Sequence, residues 1–116
     1  MTPKVSIILA NYNEEKYIAE AIESVINQTY TNWELIIIDD ASTDRSQDII
    51  NSYKDSRIKT RFCKKNNHVA YASNLGIDMA IGEYIAKIDS DDVWEAKKLE
   101  KQVLFMEEHT EYGVCF

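Results

Sequence analysis

The chain has 116 residues, 45% hydrophobic and 28% charged, with only three Gly and one Pro, a composition that fits one small folded domain and excludes a disordered or low-complexity chain. Twenty Asp and Glu against thirteen Lys and Arg give a formal net charge of −7, which argues against non-specific binding to nucleic acid or an anionic membrane and means that an anionic ligand would need a cation. No apolar run approaches the roughly 20 residues of a membrane-spanning helix and Met1-Thr2-Pro3-Lys4 has no leader pattern, so a cytoplasmic chain is expected.

Val5-Ser6-Ile7-Ile8-Leu9 is a short, β-rich apolar run bounded by Asn11-Tyr12-Asn13, which predicts a first, buried strand. Asn13 is placed to cap a helix from Glu14 to about Gln28, with Ile18, Ile22, Val25 and Ile26 as its apolar stripe. Trp33–Ile38 reads as a second strand ending at Asp39-Asp40, where one carboxylate is expected to serve the next helix and the other to face a ligand. Ser42, Thr43 and Asp44 offer caps for a short helix whose apolar edge is Ile49, Ile50 and Tyr53.

A more polar third strand, about Arg57–Cys63, suggests an edge position, and 64–68 reads as a loop in which His68 is an isolated imidazole without metal-ligand spacing. Ala72, Leu75 and Met79 support a helix over Val69–Ile81, with Gly76 marking close packing. Tyr84–Asp89 reads as a buried strand, Glu95–His109 as an amphipathic helix anchored by Trp94, and Gly113–Phe116 as the start of a further strand. An apolar strand in the last residues is expected of a piece of a longer domain. Cys63 and Cys115, on separate predicted strands, read as reduced core residues.

Alternating strands and helices with short connections predict an α/β fold, a mostly parallel sheet with helices on both faces. The first, second and fourth strands would then open Asn11-Tyr12, Asp39-Asp40 and Asp89-Ser90-Asp91-Asp92 on one edge, where such sheets bind ligands. Three carboxylates within four residues repel one another, and their natural partner is a hard divalent cation that keeps waters and substrate phosphate in its shell. A solvated acidic turn capping the next helix is the plainer alternative; the position at a strand's carboxyl end favours the metal. There is no Gly-x-Gly-x-x-Gly and no Gly-Lys-Ser/Thr, so backbone cradling of phosphate in either standard form is unsupported.

Val5–Asn13, Ile36–Asp44 and the stretch from Gly82-Glu83-Tyr84-Ile85 to Asp89-Ser90-Asp91-Asp92 together resemble the amino-terminal, nucleotide-binding half of the inverting GT-A-type glycosyltransferases of family 2, over nearly the whole chain. The resemblance implies a Rossmann-like nucleotide-sugar-binding domain in which Ala10, Tyr12 and Asp40 surround a base, usually uracil. It makes Asp89-Ser90-Asp91 the DXD motif, with Asp89 at the ribose or sugar and Asp91 or Asp92 on Mn²⁺ or Mg²⁺. It further implies a UDP-sugar donor, a carbohydrate or lipid-linked acceptor, a role in cell-surface polysaccharide biosynthesis, and work at the inner membrane face for a longer protein. Two positions depart from the pattern: His68 stands where Gly is frequent, and Ser73 where Arg often precedes Asn74-Leu75-Gly76. The family's acceptor half and its acidic catalytic base lie well downstream and have no counterpart before Phe116, so the catalytic residue is unassigned and the isolated chain is expected to bind donor without transferring sugar. A homo-oligomer through an exposed sheet edge is also expected.

Two rivals remain at this level. Asp89-Ser90-Asp91-Asp92-Val93 fits the Asp-x-Asp-x-Val of haloacid-dehalogenase-type phosphatases, which place it on the opening strand rather than after three others. The second rival is a non-catalytic nucleotide-binding module.

Overall fold

The computed structural model describes residues 3–66 and 69–108. Its strands are β1 (Val5–Asn11), β2 (Trp33–Asp39), β3 (Ile58–Phe62) and β4 (Tyr84–Asp89), and its helices are α1 (Ile18–Ile26), α2 (Ser46–Asn51), α3 (Val69–Met79) and α4 (Lys98–Glu108). The strands lie in the order β3-β2-β1-β4, with every neighbouring pair parallel. His68, Cys115 and the predicted Gly113–Phe116 strand fall outside the described residues.

Side chains alternate across a strand, so a strand buried on both faces needs a nearly continuous apolar run. β1 and β2 have that run and occupy the centre. Ile7, Leu9, Leu35 and Ile37 pack on one face with Ile22 of α1, Ile50 of α2 and Leu99 and Val103 of α4. Ile8, Ile36 and Ile38 pack on the other with Ala72 and Leu75 of α3. At Gly76 the backbone of α3 rides directly on β1: a Cβ there would come within 2.5 Å of Ile8 Cγ2.

Three expectations are corrected. β4 is not buried but borders the described sheet, with Ala86 and Ile88 inward and Lys87 and Asp89 exposed. α1 begins at Ile18 rather than Glu14, because Glu14 O accepts from Tyr17 N and Ile18 N in a preceding turn. Asn13 does not cap that helix: its backbone is left-handed (φ 51°) and its amide oxygen turns to Thr43 N and Asp44 N. β3 occupies the edge its polar pattern predicts, and Trp94 is buried in the core with the Lys98 ammonium 5.4 Å from its ring centroid.

A polar knot that sequence reading missed closes the opposite end of the sheet. Glu34, buried on β2, accepts from the Ser6 hydroxyl, from Ile81 N at 2.9 Å and from Lys59 Nζ at 2.6 Å. Burial alone would push its carboxyl pKa up; the Ile81 N–H, the Lys59 ammonium and the Ser6 hydroxyl outweigh burial and hold it below the usual range. Gly82 N donates to Ser6 Oγ at 2.7 Å, and a Cβ at Gly82 would stand 2.7 Å from Ser6 N. This close approach is why glycine precedes β4.

Candidate active site

The chain runs from β1 to β2 to β3 in one direction and then crosses back past β1 to β4. The topological switch therefore lies between β1 and β4, and ligands of open α/β sheets bind outside the carboxyl ends of the strands at such a point. The register pairs Asn11 with Asp39 and Ala10 with both Ile38 and Asp89, so Ala10, Asn11, Asp39 and Asp89 end neighbouring strands on one edge. Tyr12, Asp40 and the Asp89–Asp92 turn continue from those ends.

The two carboxylates after β2 have different surroundings. Asp39 is fully buried and accepts hydrogen bonds from Asn11 Nδ2, Ser42 Oγ, Ser42 N and Gln47 Nε2. It organises the strand end and the following loop. Asp40 is also buried, and its N–H donates to Asn11 O at 2.8 Å. Ala41 beyond it has φ 65°. Across the site Tyr12 is 42% exposed, leaving an aromatic face open to a ligand.

Asp89, Asp91 and Asp92 are exposed around the nearly buried Ser90, in a turn closed by Asp92 N donating to Asp89 O at 3.0 Å. None of the three carboxylates is engaged in a side-chain hydrogen bond or ion pair with another described residue. Among the described residues no three His, Cys, Asp or Glu converge as a ready-made metal shell. The donor set fits a hard cation held by one or two carboxylates, with waters and a substrate diphosphate completing the shell, the usual arrangement for Mg²⁺.

Behind the turn, Gln28 is buried at the end of α1. Its Nε2 donates to Ser24 O and Glu95 O, and its Oε1 accepts from Leu99 N in the first turn of α4. One amide thus fixes the chain as it leaves the acidic turn. Its position at a helix end, with only polar residues after it, gave no sequence signal of this role. Cys63 follows β3, half-buried beside the site; burial first, then the Asp40 and Asp39 charges, push its thiol up, which suits an inert thiol rather than a nucleophile. No helix among the described residues is long and apolar enough to cross a membrane.

An all-parallel sheet with polar strand ends and an acidic turn at its switch point defines a Rossmann-like α/β domain. The sequence profile described as glycosyl transferase family 2 matches residues 6–116, and the chain belongs to that family. It is 50% identical over 89% of its length to the Escherichia coli UDP-Glc:alpha-D-GlcNAc-diphosphoundecaprenol beta-1,3-glucosyltransferase WfaP, of which it covers 41%. Among solved structures, Staphylococcus aureus TarS in complex with UDP superposes with a TM-score of 0.86 at 31% identity, covering 92% of this chain and 33% of that one. The mannosyltransferase PcManGT from Pyrobaculum calidifontis, in complex with GDP-Man and Mn²⁺, gives 0.82 at 26% identity, covering 91% and 33%. The fold is that of the GT-A glycosyltransferases. The chain spans less than half the length of the curated relatives it matches.

Proposed function

We propose that this chain is the nucleotide-sugar-binding part of an inverting, metal-dependent glycosyltransferase using a UDP-sugar. The observation that carries the reading is the arrival of Tyr12, Asp40 and Asp89–Asp92 at one edge of the sheet, around its switch point. Support comes from the UDP bound to TarS and from the GDP-Man and Mn²⁺ bound to PcManGT.

In this reading the Tyr12 ring stacks on the base beside Ala10, and the Asp40 carboxylate accepts the uracil ring N–H. Asp89 meets the ribose or sugar. Asp91 and Asp92 hold Mn²⁺ or Mg²⁺, which when bound supplies Lewis-acid stabilisation of the leaving diphosphate. Asp39 and Gln28 hold the loops rather than the donor. The acceptor is a carbohydrate or a lipid-linked sugar, in keeping with the diphosphoundecaprenol substrate in the name of WfaP, and the longer protein would meet a lipid-linked acceptor at the inner membrane face. The catalytic base and the acceptor surface are assigned to no residue of this chain, and self-association through the β4 edge is to be read by light scattering.

The test is calorimetric titration with UDP in Mn²⁺ and in chelator, followed by donor turnover with an acceptor panel. Metal-dependent UDP binding supports the reading. Absence of UDP binding under both conditions would remove it, and metal-dependent binding by a full-length protein that never turns over donor would favour a non-catalytic module.

A further inference from the structure

The loops on either side of the proposed base pocket are tied to each other in both directions. From the β1–α1 loop, Asn13 Oδ1 accepts from Thr43 N at 2.8 Å and from Asp44 N at 3.2 Å. From the β2–α2 loop, Ser42 Oγ accepts from Asn13 N at 2.9 Å, and Asp44 Oδ2 accepts from Glu15 N at 3.0 Å. The clasp is rooted in the strand ends, because Ser42 Oγ also donates to Asp39 Oδ1 at 2.6 Å and accepts from Asn11 Nδ2 at 3.3 Å.

Two further observations give the clasp a purpose. Among the described residues the non-glycine positions with positive φ are Asn13 and Ala41, one in each loop. Left-handed backbone is sterically unfavourable for a residue with a Cβ and persists only where its surroundings over-determine it. Each strained residue directly follows a proposed base contact, Tyr12 in one case and Asp40 in the other. The clasp also lies largely at the surface, with Asn13 and Thr43 exposed. α1 and α2 dock without it, through buried Ile18, Ile22 and Ile50. What it fixes is the position of the Tyr12 loop relative to the Asp40 loop.

We propose that Asn13 and Ser42 are positioning residues of the donor site: their clasp sets the spacing between Tyr12 and Asp40 and so pre-organises the pocket for a uracil base. The inference rests on the reading of Tyr12 and Asp40 as base contacts. Preorganisation acts on affinity by removing the ordering cost from the binding step, so loss of the clasp should show in nucleotide selectivity and not only in stability.

Asn13→Gly keeps access to the left-handed backbone and deletes the acceptor oxygen, whereas Asn13→Asp keeps both. Ser42→Ala breaks the clasp from the other loop. Each variant is titrated with UDP, CDP and inorganic pyrophosphate in Mn²⁺. The expected result is that Asn13→Asp stays close to wild type, while Asn13→Gly and Ser42→Ala lose about tenfold in UDP affinity and bring the UDP/CDP ratio towards one. Pyrophosphate affinity should be unchanged, because Asp91 and Asp92 sit on a different element. Wild-type UDP affinity and selectivity in both clasp-breaking variants would overturn the proposal, as would a proportional loss of UDP and pyrophosphate binding, which would mean general loosening. If one variant fails to fold, the other carries the test. A wild-type chain that binds UDP and CDP equally would instead overturn the base-contact reading, and this inference with it.

Discussion

Asn11 and Asp39 join the ends of the two central strands side chain to side chain: Asn11 Nδ2 donates to Asp39 Oδ1 at 2.9 Å across a register pair, with both residues buried. Among the described residues, the hydrogen bonds to the Asp39 carboxylate come from uncharged donors. Asp39→Ala leaves several of those donors without an acceptor, each costing about 1–3 kcal/mol where buried. A loss of roughly 3 kcal/mol or more is expected in urea denaturation. Asp40→Asn, which keeps the size and the hydrogen-bonding oxygen of the side chain, should cost less stability than Asp39→Ala and should weaken UDP binding. The opposite ranking would exchange the roles of the two carboxylates.

Two glycines make a graded prediction. At Gly76 a Cβ would come within 2.5 Å of the Cγ2 methyl of buried Ile8, a stiff β-branched side chain that must move to make room, while alanine gains about 1 kcal/mol of helix propensity over glycine. Overpacking costs about 1–3 kcal/mol, so Gly76→Ala should be mildly destabilising. At Gly82 the Cβ would meet Ser6 N at 2.7 Å and Val5 C at 2.9 Å, both backbone, which cannot yield without moving β1 away from β4. Gly82→Ala should therefore lower the unfolding midpoint clearly more than Gly76→Ala. Equal effects would show that the β1–β4 approach is softer than its geometry implies.

The fold was legible because its centre obeys one rule: Val5–Leu9 and Leu35–Ile38 are apolar at every step but Ser6, as strands covered on both faces must be. β4 was misjudged because Tyr84-Ile85-Ala86 is apolar whether or not a neighbour covers it. The candidate site residues could be picked out from their places at strand ends. The groups that hold them could not, since Asn13 beside Glu14-Glu15 has the local pattern of a helix cap while its partners, Thr43 and Asp44, lie some 30 residues away. Glu34 was equally hidden, because a single carboxylate in an apolar strand gives no sign that Ser6, Lys59 and Ile81 will meet it.

Glu34 also gives stability a pH dependence. Its carboxyl is held below the usual range in the fold, so in acid the unfolded chain binds more protons than the folded one and stability rises with pH. The contribution is complete above the ordinary glutamate value of about 4.3 and is lost as pH falls through the lower folded value. Glu34→Gln should remove that part of the acid-unfolding slope. It should also cost about 1–3 kcal/mol near neutral pH, because the neutral amide replaces a charged acceptor facing Lys59. An unchanged acid limb in the variant would mean that other carboxylates, such as Asp55 beside Arg57, carry the dependence.

The dependence of donor binding on metal follows from the charge at the acidic turn. A diphosphate approaching Asp89, Asp91 and Asp92 meets like charge on a chain whose formal net charge is already −7. Two like charges ~4 Å apart repel by about 1 kcal/mol in bulk water and about 4 kcal/mol at an effective dielectric near 20, and several such pairs act at once. UDP should therefore bind far more weakly in chelator than in Mn²⁺ or Mg²⁺, while uridine, which has no diphosphate, should respond little. Asp91→Asn and Asp92→Asn, at exposed positions without side-chain partners among the described residues, should leave the unfolding free energy within about 0.5 kcal/mol of wild type. Whichever carboxylate holds the ion, its variant should lose the Mn²⁺-dependent gain in UDP affinity. That variant should also gain affinity in chelator, because one repelling charge is gone. This reversal separates a metal ligand from a helix-capping aspartate, whose removal would lower stability and leave both affinities unchanged. If both variants titrate like the wild type under both conditions, the ion is held elsewhere and the acidic turn is a cap for the segment leading into α4.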